Sequence, residues 1–230
     1  MKIHRFLVKY DINPPEVEII EKDLVNQIFK VLRLKEGEKI ILGDGKCNEY
    51  LTEILSLNNN KIVVKILNKT VNDSEPIKEV RLYCAILKKE NFELVVQKAT
   101  EIGINEIIPL ITSRTIKTGL NLNRLNIITK EAAELSGRGI IPNIYEPIEY
   151  KKALNRDGIN ILYHTNNQEP YTVSSINNSK INIFIGPEGG FTDEEIQLAI
   201  ENNFNIKSLG PLILRAETAA IIASYLEIYK

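Results

Sequence analysis

Beyond residue 76 the chain alternates short apolar runs with helical runs, and this alternation restricts its possible folds more than any other feature. The apolar runs predict strands at 80–86, 106–111, 159–163, 181–185 and around 206–209. The first helical run carries Phe92, Val95, Val96, Ala99 and Ile102 on one face, and Gly103 follows as a C-cap would. Five short apolar strands that alternate with helices predict an α/β fold, with a mostly parallel sheet covered on both faces.

The first seventy residues follow a different pattern, which predicts a small β-rich domain. Strand-like runs at 39–42, 50–55 and 62–67 are joined by the turn signal Asp44-Gly45 and by an asparagine cluster at 58–60. Apolar residues at helical spacing between Asp23 and Leu34 predict one short helix. Together these runs indicate a small β-barrel with one helix.

A polar segment at 70–78, which contains one proline, separates the two patterns. We therefore expect a first domain at 1–72 and a second at 73–230. No internal repeat or low-complexity segment interrupts either part.

Charge and composition exclude several classes of protein. The net charge is −1, with 12 basic and 12 acidic side chains in residues 1–75 and 17 and 18 in the remainder. A nucleic-acid partner would therefore have to be bound through a local patch and through shape, because the chain has no basic surplus. Two cysteines and two histidines make a zinc site or disulfide framework unexpected. No apolar run approaches the roughly 20 residues that span a bilayer, so we expect a cytoplasmic protein without a metal.

The end of the fourth predicted strand has the sequence of a ligand-binding turn, Ile185-Gly186-Pro187-Glu188-Gly189-Gly190. Adjacent glycines let a backbone approach a ligand closely, and ligands of open α/β sheets bind beyond the carboxyl ends of the strands. Thr192 and Glu195 form a capping box for the next helix. The alternative is a tight turn without a ligand. The spacing differs from that of dinucleotide and triphosphate loops.

Two further strand ends carry polar residues. Leu209-Gly210 ends the fifth predicted strand, and a tight loop leads through Arg215 to a helix that opens near Glu217. His164 ends the third strand. On their own, Arg215 and Glu217 are more typical of a solvated pair at a helix start, and His164 of a structural histidine.

Taken together, these motifs resemble the SPOUT class of RNA methyltransferases, and more narrowly the family that methylates N3 of a uridine in small-subunit (16S) ribosomal RNA. The resemblance rests on Gly-Pro-Glu-Gly-Gly-Phe-Thr at 186–192 and, about twenty residues later, on Leu-Gly-x-x-Ile-Leu-Arg-x-Glu-Thr-Ala at 209–219. Upstream segments agree, at 97–103, 108–109, 113–114, 131–138 and 141–142, and the first domain contributes 31–37 and 44–45. The family usually has a histidine ahead of 31–33, a glutamine at Leu135 and a threonine at Ala216.

The resemblance implies a SPOUT-type parallel sheet with a C-terminal trefoil knot, preceded by a PUA-like β-barrel domain. It implies an enzyme that uses S-adenosylmethionine, acts on 16S ribosomal RNA or the assembled small ribosomal subunit, and forms a homodimer. Cofactor contacts are expected from His164, Ile185, Gly186, Pro187, Glu188, Gly189, Gly190, Leu209, Gly210, Ile213 and Leu214. The expected catalytic residues are Arg114, Arg138, Arg215 and Glu217.

The first domain should bind the RNA. The candidate contacts are Arg5, Lys9, Lys30, Arg33 and Lys35. Three alternatives stay open from the sequence: a methyltransferase of the same class that acts on another RNA such as transfer RNA, an RNA-binding protein without catalysis, and a nucleotide-phosphate enzyme with an anion site at the glycine turn.

Overall fold

A computed structural model describes residues 3–12, 15–116, 119–165 and 180–230. The chain forms two compact units. The first runs to Glu75 and also contains Ala133–Ile140, and the second comprises Pro76–Ala132 and Ile141–Lys230. The sequence did not reveal that the segment 133–140 belongs to the first unit. The functional division at residue 72 stays a prediction.

The first unit is built on a mixed sheet of five strands. They are β1 (His4–Leu7), β2 (Glu16–Ile19), β3 (Lys39–Gly43), β4 (Asn48–Leu57) and β5 (Ile62–Val71), in the order β1-β3-β4-β5-β2. The β1 and β3 strands are parallel, and the other neighbours are antiparallel. Phe6, Ile19, Ile40 and Ile62 are buried in its core. The expected small β-rich domain is confirmed.

Turn chemistry explains how β3 leads into β4. The Asp44 carboxylate accepts hydrogen bonds from the backbone N–H of Lys46 at 2.7 Å and of Asn48 at 3.1 Å. Gly45 lies at φ +70°, where side chains other than glycine are disfavoured. The Asp-Gly signal is therefore a turn.

The predicted helix between Asp23 and Leu34 is correct only at its start. Helix α1 covers Lys22–Asn26 and passes into a π-helical turn at Gln27–Val31. The Leu32 N–H donates to the Gln27 carbonyl at 2.8 Å, five residues back. Arg33 then lies at φ +54°, in the left-handed region, which ends the helix.

The second unit is built on a parallel sheet of seven strands. They are β6 (Val80–Ala85), β7 (Glu106–Ile111), β8 (Asn143–Ile144), β9 (Ile148–Glu149), β10 (Ile159–Tyr163), β11 (Ile181–Ile185) and β12 (Asn205–Lys207). The order is β12-β10-β11-β6-β7-β8, and β9 also pairs with β7. All five predicted strands are confirmed. The two-residue strands β8 and β9 carry too little periodicity to be predicted.

Helices cover both faces of this sheet. They are α2 (Lys89–Ile102), α3 (Leu122–Ser136), α4 (Tyr150–Ala153), α5 (Asp193–Glu201) and α6 (Ala216–Tyr229). Side chains alternate along β6: Leu82 and Cys84 share a core with residues of α2, α3 and α6, whereas Tyr83 packs on the opposite face with residues of α4 and α5. Gly103, at φ +114°, caps α2 as expected. The α/β fold is confirmed, and the trefoil knot stays a prediction.

The strand order fixes where a ligand can bind. Because β10, β11 and β6 are neighbours and parallel, their carboxyl ends meet at one edge of the sheet. Among the described residues, no helix is long and apolar enough to cross a membrane.

Candidate functional site

A cavity of about 680 Å³ opens at this edge of the sheet. Its wall combines residues that follow β6, β7, β10 and β11 with residues at the start of α6: Lys88, Asn91, Arg114, Tyr163, His164, Thr165, Ile185, Gly186, Pro187, Glu188, Gly189, Gly190, Phe191, Ile213, Leu214, Arg215, Ala216, Glu217 and Ala219. A smaller cavity of about 50 Å³ shares Tyr163, His164 and Leu214 and adds Leu209 and Gly210.

All eleven residues that the sequence analysis assigned to the cofactor line one of these two cavities. Lys88, Asn91, Tyr163, Thr165 and Phe191 were missed. Lys88 stands three residues after β6, so a search of every strand end would have found it. The role of all these residues in binding stays a prediction.

Two glycines give the first loop its shape for different reasons. At Gly186 an added Cβ would lie 3.1 Å from the Phe191 ring and 3.2 Å from the Gly190 carbonyl carbon, so a larger residue would need the loop to shift. Gly190 lies at φ +69°, and an added Cβ would contact nothing within 4 Å. Conformation therefore favours glycine at 190, beside the open cavity. The Gly190 N–H closes the turn onto the Pro187 carbonyl at 2.8 Å.

The second loop leaves apolar side chains exposed beside the cavity. Strand β12 ends at Lys207, two residues earlier than predicted. Gly210 lies at φ +124°, and the Ser208 hydroxyl donates to its carbonyl at 3.1 Å. Leu212 and Ile213 are 77% and 86% exposed. Helix α6 opens at Ala216, as the sequence predicted.

Arg215 and Glu217 flank the cavity in opposite environments. The Arg215 side chain is 86% exposed and lies 3.9 Å from a Glu217 carboxylate oxygen. Glu217 itself is only 7% exposed. Within the described residues, its Oε2 atom is buried and has no hydrogen-bond partner. A buried acceptor without a donor is costly, so this carboxylate is suited to a ligand that brings a donor or a positive charge.

Arg114 lines the cavity but is engaged with the glycine loop. Its Nη1 atom donates to the carbonyl oxygen of Gly189 and, at 3.4 Å, to that of Phe191. The expected catalytic role of Arg114 therefore competes with a role in holding the loop.

His164 lines both cavities. Its partial burial lowers the pKa of the imidazole below the usual 6.5, and nearby Arg114 acts in the same direction against an opposing contribution from Asp193. A neutral imidazole suits the neighbourhood of a cationic ligand.

The structure places Arg138 in a buried ion pair, and its expected catalytic role stays a prediction. Arg138 lies in the first unit and is 5% exposed. Its Nη2 atom donates to the Glu75 carboxylate at 2.8 Å, and that carboxylate also accepts the N–H groups of Gly139 and Ile140. A guanidinium that is buried and paired in this way supports the fold of the first unit.

The basic residues of the first unit are of two kinds, paired and exposed. The Arg5 guanidinium forms an ion pair with Glu49 at 2.9 Å, and its assignment as an RNA contact stays a prediction. Lys9, Lys30, Arg33 and Lys35 are exposed. Of these, the last three lie within six residues of one another.

Comparisons with known proteins place this arrangement in a family. The family described as RNA methyltransferase domain matches residues 73–226, and the RNA methyltransferase PUA domain matches residues 20–67. Ribosomal RNA small subunit methyltransferase E of Rickettsia conorii is 35% identical over 214 residues, which cover 90% of this chain and 87% of that protein. The same-named protein of Bacillus subtilis is 30% identical, over 94% of this chain and 91% of its own length. The chain belongs to the ribosomal RNA small subunit methyltransferase E family.

Solved structures of this family agree. A crystal structure of ribosomal RNA small subunit methyltransferase E from Neisseria gonorrhoeae, bound to S-adenosyl methionine, superposes with a TM-score of 0.91. It is 28% identical and is matched over 97% of this chain and 95% of its own length. The chain is therefore an RNA methyltransferase, and the rival interpretations as a purely RNA-binding protein or a nucleotide-phosphate enzyme are set aside. In the part of the chain that the structure describes, no group of three or more His, Cys, Asp or Glu side chains could hold a metal ion.

Proposed function

We propose that this enzyme transfers a methyl group from S-adenosylmethionine to N3 of a uridine in small-subunit (16S) ribosomal RNA, in the cytoplasm. The observation that carries the proposal is that the glycine loops 186–190 and 209–214 line two cavities that share Tyr163, His164 and Leu214, in a chain of this family. Methyl transfer to another RNA, such as transfer RNA, is the alternative.

The lining of the cavity fits this cofactor. Backbone N–H and C=O groups of the glycine loops can hydrogen-bond a ligand without special side chains. The cofactor carries a sulfonium and an ammonium charge, and the buried Glu217 carboxylate supplies a negative charge beside them. The eleven residues assigned from the sequence form its site.

Methyl transfer requires a proton acceptor, stabilisation of negative charge and correct orientation of the reacting groups. When bound, the cofactor supplies an electrophilic methyl group, and uridine N3 must lose its proton to attack it. Glu217, whose Oε2 atom has no donor among the described residues, accepts that proton. Arg215 is exposed and close to Glu217, and it stabilises negative charge on the uracil carbonyls. The two loops orient the reacting groups.

Glu217→Gln tests this assignment, because it keeps the shape of the side chain and removes its charge and basicity. We expect methyl transfer at saturating cofactor to fall about 100-fold or more, which is within the range of general-base catalysis. The measurement is transfer from labelled S-adenosylmethionine to small ribosomal subunits, to naked 16S RNA and to transfer RNA, with mass mapping of the methylated nucleoside. A label on N3 of one uridine in 16S RNA is expected for the wild type.

A wild-type label confined to transfer RNA would replace the proposed substrate by the alternative. Full activity of Glu217→Gln at saturating cofactor would remove Glu217 from the mechanism and leave the substrate assignment standing.

The RNA is recognised outside the cavity by the exposed basic segment Lys30, Arg33 and Lys35. RNA is read through shape and phosphate contacts over a wide surface, and the chain has almost no net charge to attract it from a distance. Arg33 is held in the left-handed region at φ +54°, a strained conformation that is frequent at functional sites.

Replacing Lys30, Arg33 and Lys35 with alanine should therefore reduce methylation of ribosomal RNA while cofactor affinity stays unchanged. Loss of up to three phosphate contacts should also weaken the salt dependence of RNA binding. Electrophoretic mobility shifts at several salt concentrations and calorimetry with S-adenosylmethionine measure the two effects. These substitutions are preferable to deletion of residues 1–75, because the first unit also contains Ala133–Ile140.

The matched control replaces Lys61, Lys65 and Lys69 with alanine. Lys65 and Lys69 lie on β5 of the same unit, Lys61 directly precedes this strand, and the three substitutions remove the same charge. An equal loss in both triple variants would mean that overall charge, and no particular segment, attracts the RNA.

The enzyme acts as a homodimer through the outer face of α6. Ile222, Tyr225 and Tyr229 on this helix are 36%, 52% and 55% exposed, whereas Ile228 is buried in the core of the second unit. An exposed cluster of this kind is typical of an interface. Light scattering should give twice the chain mass of 26.1 kDa at micromolar concentration, and Tyr225→Lys should shift the mass toward the monomer. A wild-type monomer would contradict the dimer.

A further inference from the structure

Glu195 closes the capping box of α5, and this contact uses only one of its two carboxylate oxygens. Oε2 accepts the Thr192 N–H at 2.9 Å, and the Thr192 hydroxyl accepts the Glu195 N–H at 3.2 Å. The box was expected from the sequence and is confirmed. A helix N-terminus requires no more than this from the side chain.

The other oxygen binds a different loop. Oε1 of Glu195 accepts the Ser113 N–H at 2.8 Å, across 82 residues of sequence. Ser113 follows β7, whereas Glu195 follows β11. Glu195 is 4% exposed, so both hydrogen bonds lie in a protected environment where a carboxylate acceptor is strong.

Arg114, the neighbour of Ser113, makes the return contact. Its guanidinium donates to the carbonyl oxygens of Gly189 and Phe191. Two adjacent residues therefore hold both ends of the segment 189–195, one through its backbone N–H and the other through its side chain.

Core residues also hold the segment 189–195 in place. Phe191 is 3% exposed, and its ring centroid lies 5.3 Å from that of Tyr150. The Tyr150 hydroxyl donates to the Glu195 carbonyl oxygen at 2.8 Å. Gly186, Gly189 and Gly190 have no side chains of their own to hold the cavity wall in place, so its position depends on these surrounding contacts.

We infer that Glu195 is a positioning residue for the cofactor, which acts by clamping the 186–190 loop to the loop after β7. The inference rests on the proposed role of the 186–190 loop in binding S-adenosylmethionine. A preorganised loop loses less freedom when the ligand binds. Loosening the clamp therefore weakens cofactor binding and leaves the rate at saturating cofactor nearly unchanged.

Glu195→Gln tests the clamp, because the glutamine side chain has one acceptor oxygen for two backbone N–H groups. The expected result is a Kd for S-adenosylmethionine about tenfold higher, the effect of losing one charge-assisted hydrogen bond. KM for the cofactor should rise by a similar factor, and kcat should change by less than about twofold. Hydrogen exchange at the Gly189 and Gly190 amides should become faster.

Thr192→Ala is the matched control, since it removes the cap of α5 and leaves the Glu195 carboxylate free to bind Ser113. This variant should lower the melting temperature as Glu195→Gln does, with Kd within about twofold of the wild type. Calorimetry at a temperature well below both melting transitions keeps unfolding out of the comparison.

Two results would overturn the inference: an unchanged Kd for Glu195→Gln, or equal increases in Kd for the two variants, which would reduce the effect to helix capping. Failure of the wild type to bind S-adenosylmethionine would instead refute the proposed function, so the two failures are distinguishable.

Discussion

Replacing Gly190 with valine is expected to abolish S-adenosylmethionine binding while the protein stays folded. Gly190 lies at φ +69° and lines the cavity, and an added Cβ would contact nothing within 4 Å of protein. The branched side chain would therefore occupy space that the cofactor needs. A valine at this positive φ also strains the backbone, which lowers the free energy of unfolding by about 1–3 kcal/mol. We expect Kd to rise by about 100-fold or more, because roughly 3 kcal/mol is sufficient for that change.

Gly45→Val is the control for backbone strain. Gly45 lies at φ +70° in the turn before β4, and an added Cβ there also contacts nothing within 4 Å. The two substitutions therefore impose the same strain in the same open surroundings, and only Gly190 lines the cavity. Calorimetry should show normal binding for Gly45→Val and similar melting temperatures for both variants. Normal binding by Gly190→Val would place the cofactor site elsewhere.

Of all the substitutions proposed for this protein, Glu75→Ala is expected to lower the free energy of unfolding most. Glu75 accepts hydrogen bonds from the Arg138 guanidinium and from the N–H groups of Gly139 and Ile140, at 2.8 to 3.2 Å. The Arg138 and Glu75 side chains are 6% and 13% exposed. Removing the carboxylate breaks this buried ion pair and takes away the acceptor of the Gly139 and Ile140 N–H groups. The free energy of unfolding of the first unit should fall by about 3–5 kcal/mol.

Urea titration followed by far-UV circular dichroism measures this loss, since the chain has no tryptophan to report by fluorescence. Glu18→Ala provides the comparison. Glu18 and Lys61 form an ion pair of 2.7 Å in the same unit, but their side chains are 61% and 42% exposed. Water screens such a pair, so its loss should cost less than about 1 kcal/mol. Equal, small losses in both variants would mean that the Glu75–Arg138 pair does not stabilise the first unit.

The positions of the strands could be predicted because their signal is local. A buried strand between two layers of helices is mostly apolar, and β6, β7, β10 and β11 all show this pattern. The helix between Asp23 and Leu34 was less predictable. The π-helical turn is only five residues long, which is too short for periodicity to distinguish it from an α-helix.

The candidate site was predictable to the extent that it consists of backbone and glycine. The glycines at 186, 189, 190 and 210 identify segments that must turn tightly or approach a ligand, and all of them line the two cavities. Charged residues gave no comparable signal. Arg114, Arg138 and Arg215 were equal candidates in the sequence, because an arginine carries the same charge whether it is exposed or paired.

The sequence by itself determined the alternation of strands and helices, the turns and the loops at the strand ends, since each depends on residues close together along the chain. Only the tertiary structure decided which charged side chains are paired and which are exposed. Arg138 pairs with Glu75, 63 residues away, and Ser113 is bound by Glu195, 82 residues away. Arg215 stays exposed at the cavity. Strand order and burial bring such partners together, and neither quantity is written in the spacing of residues along the chain.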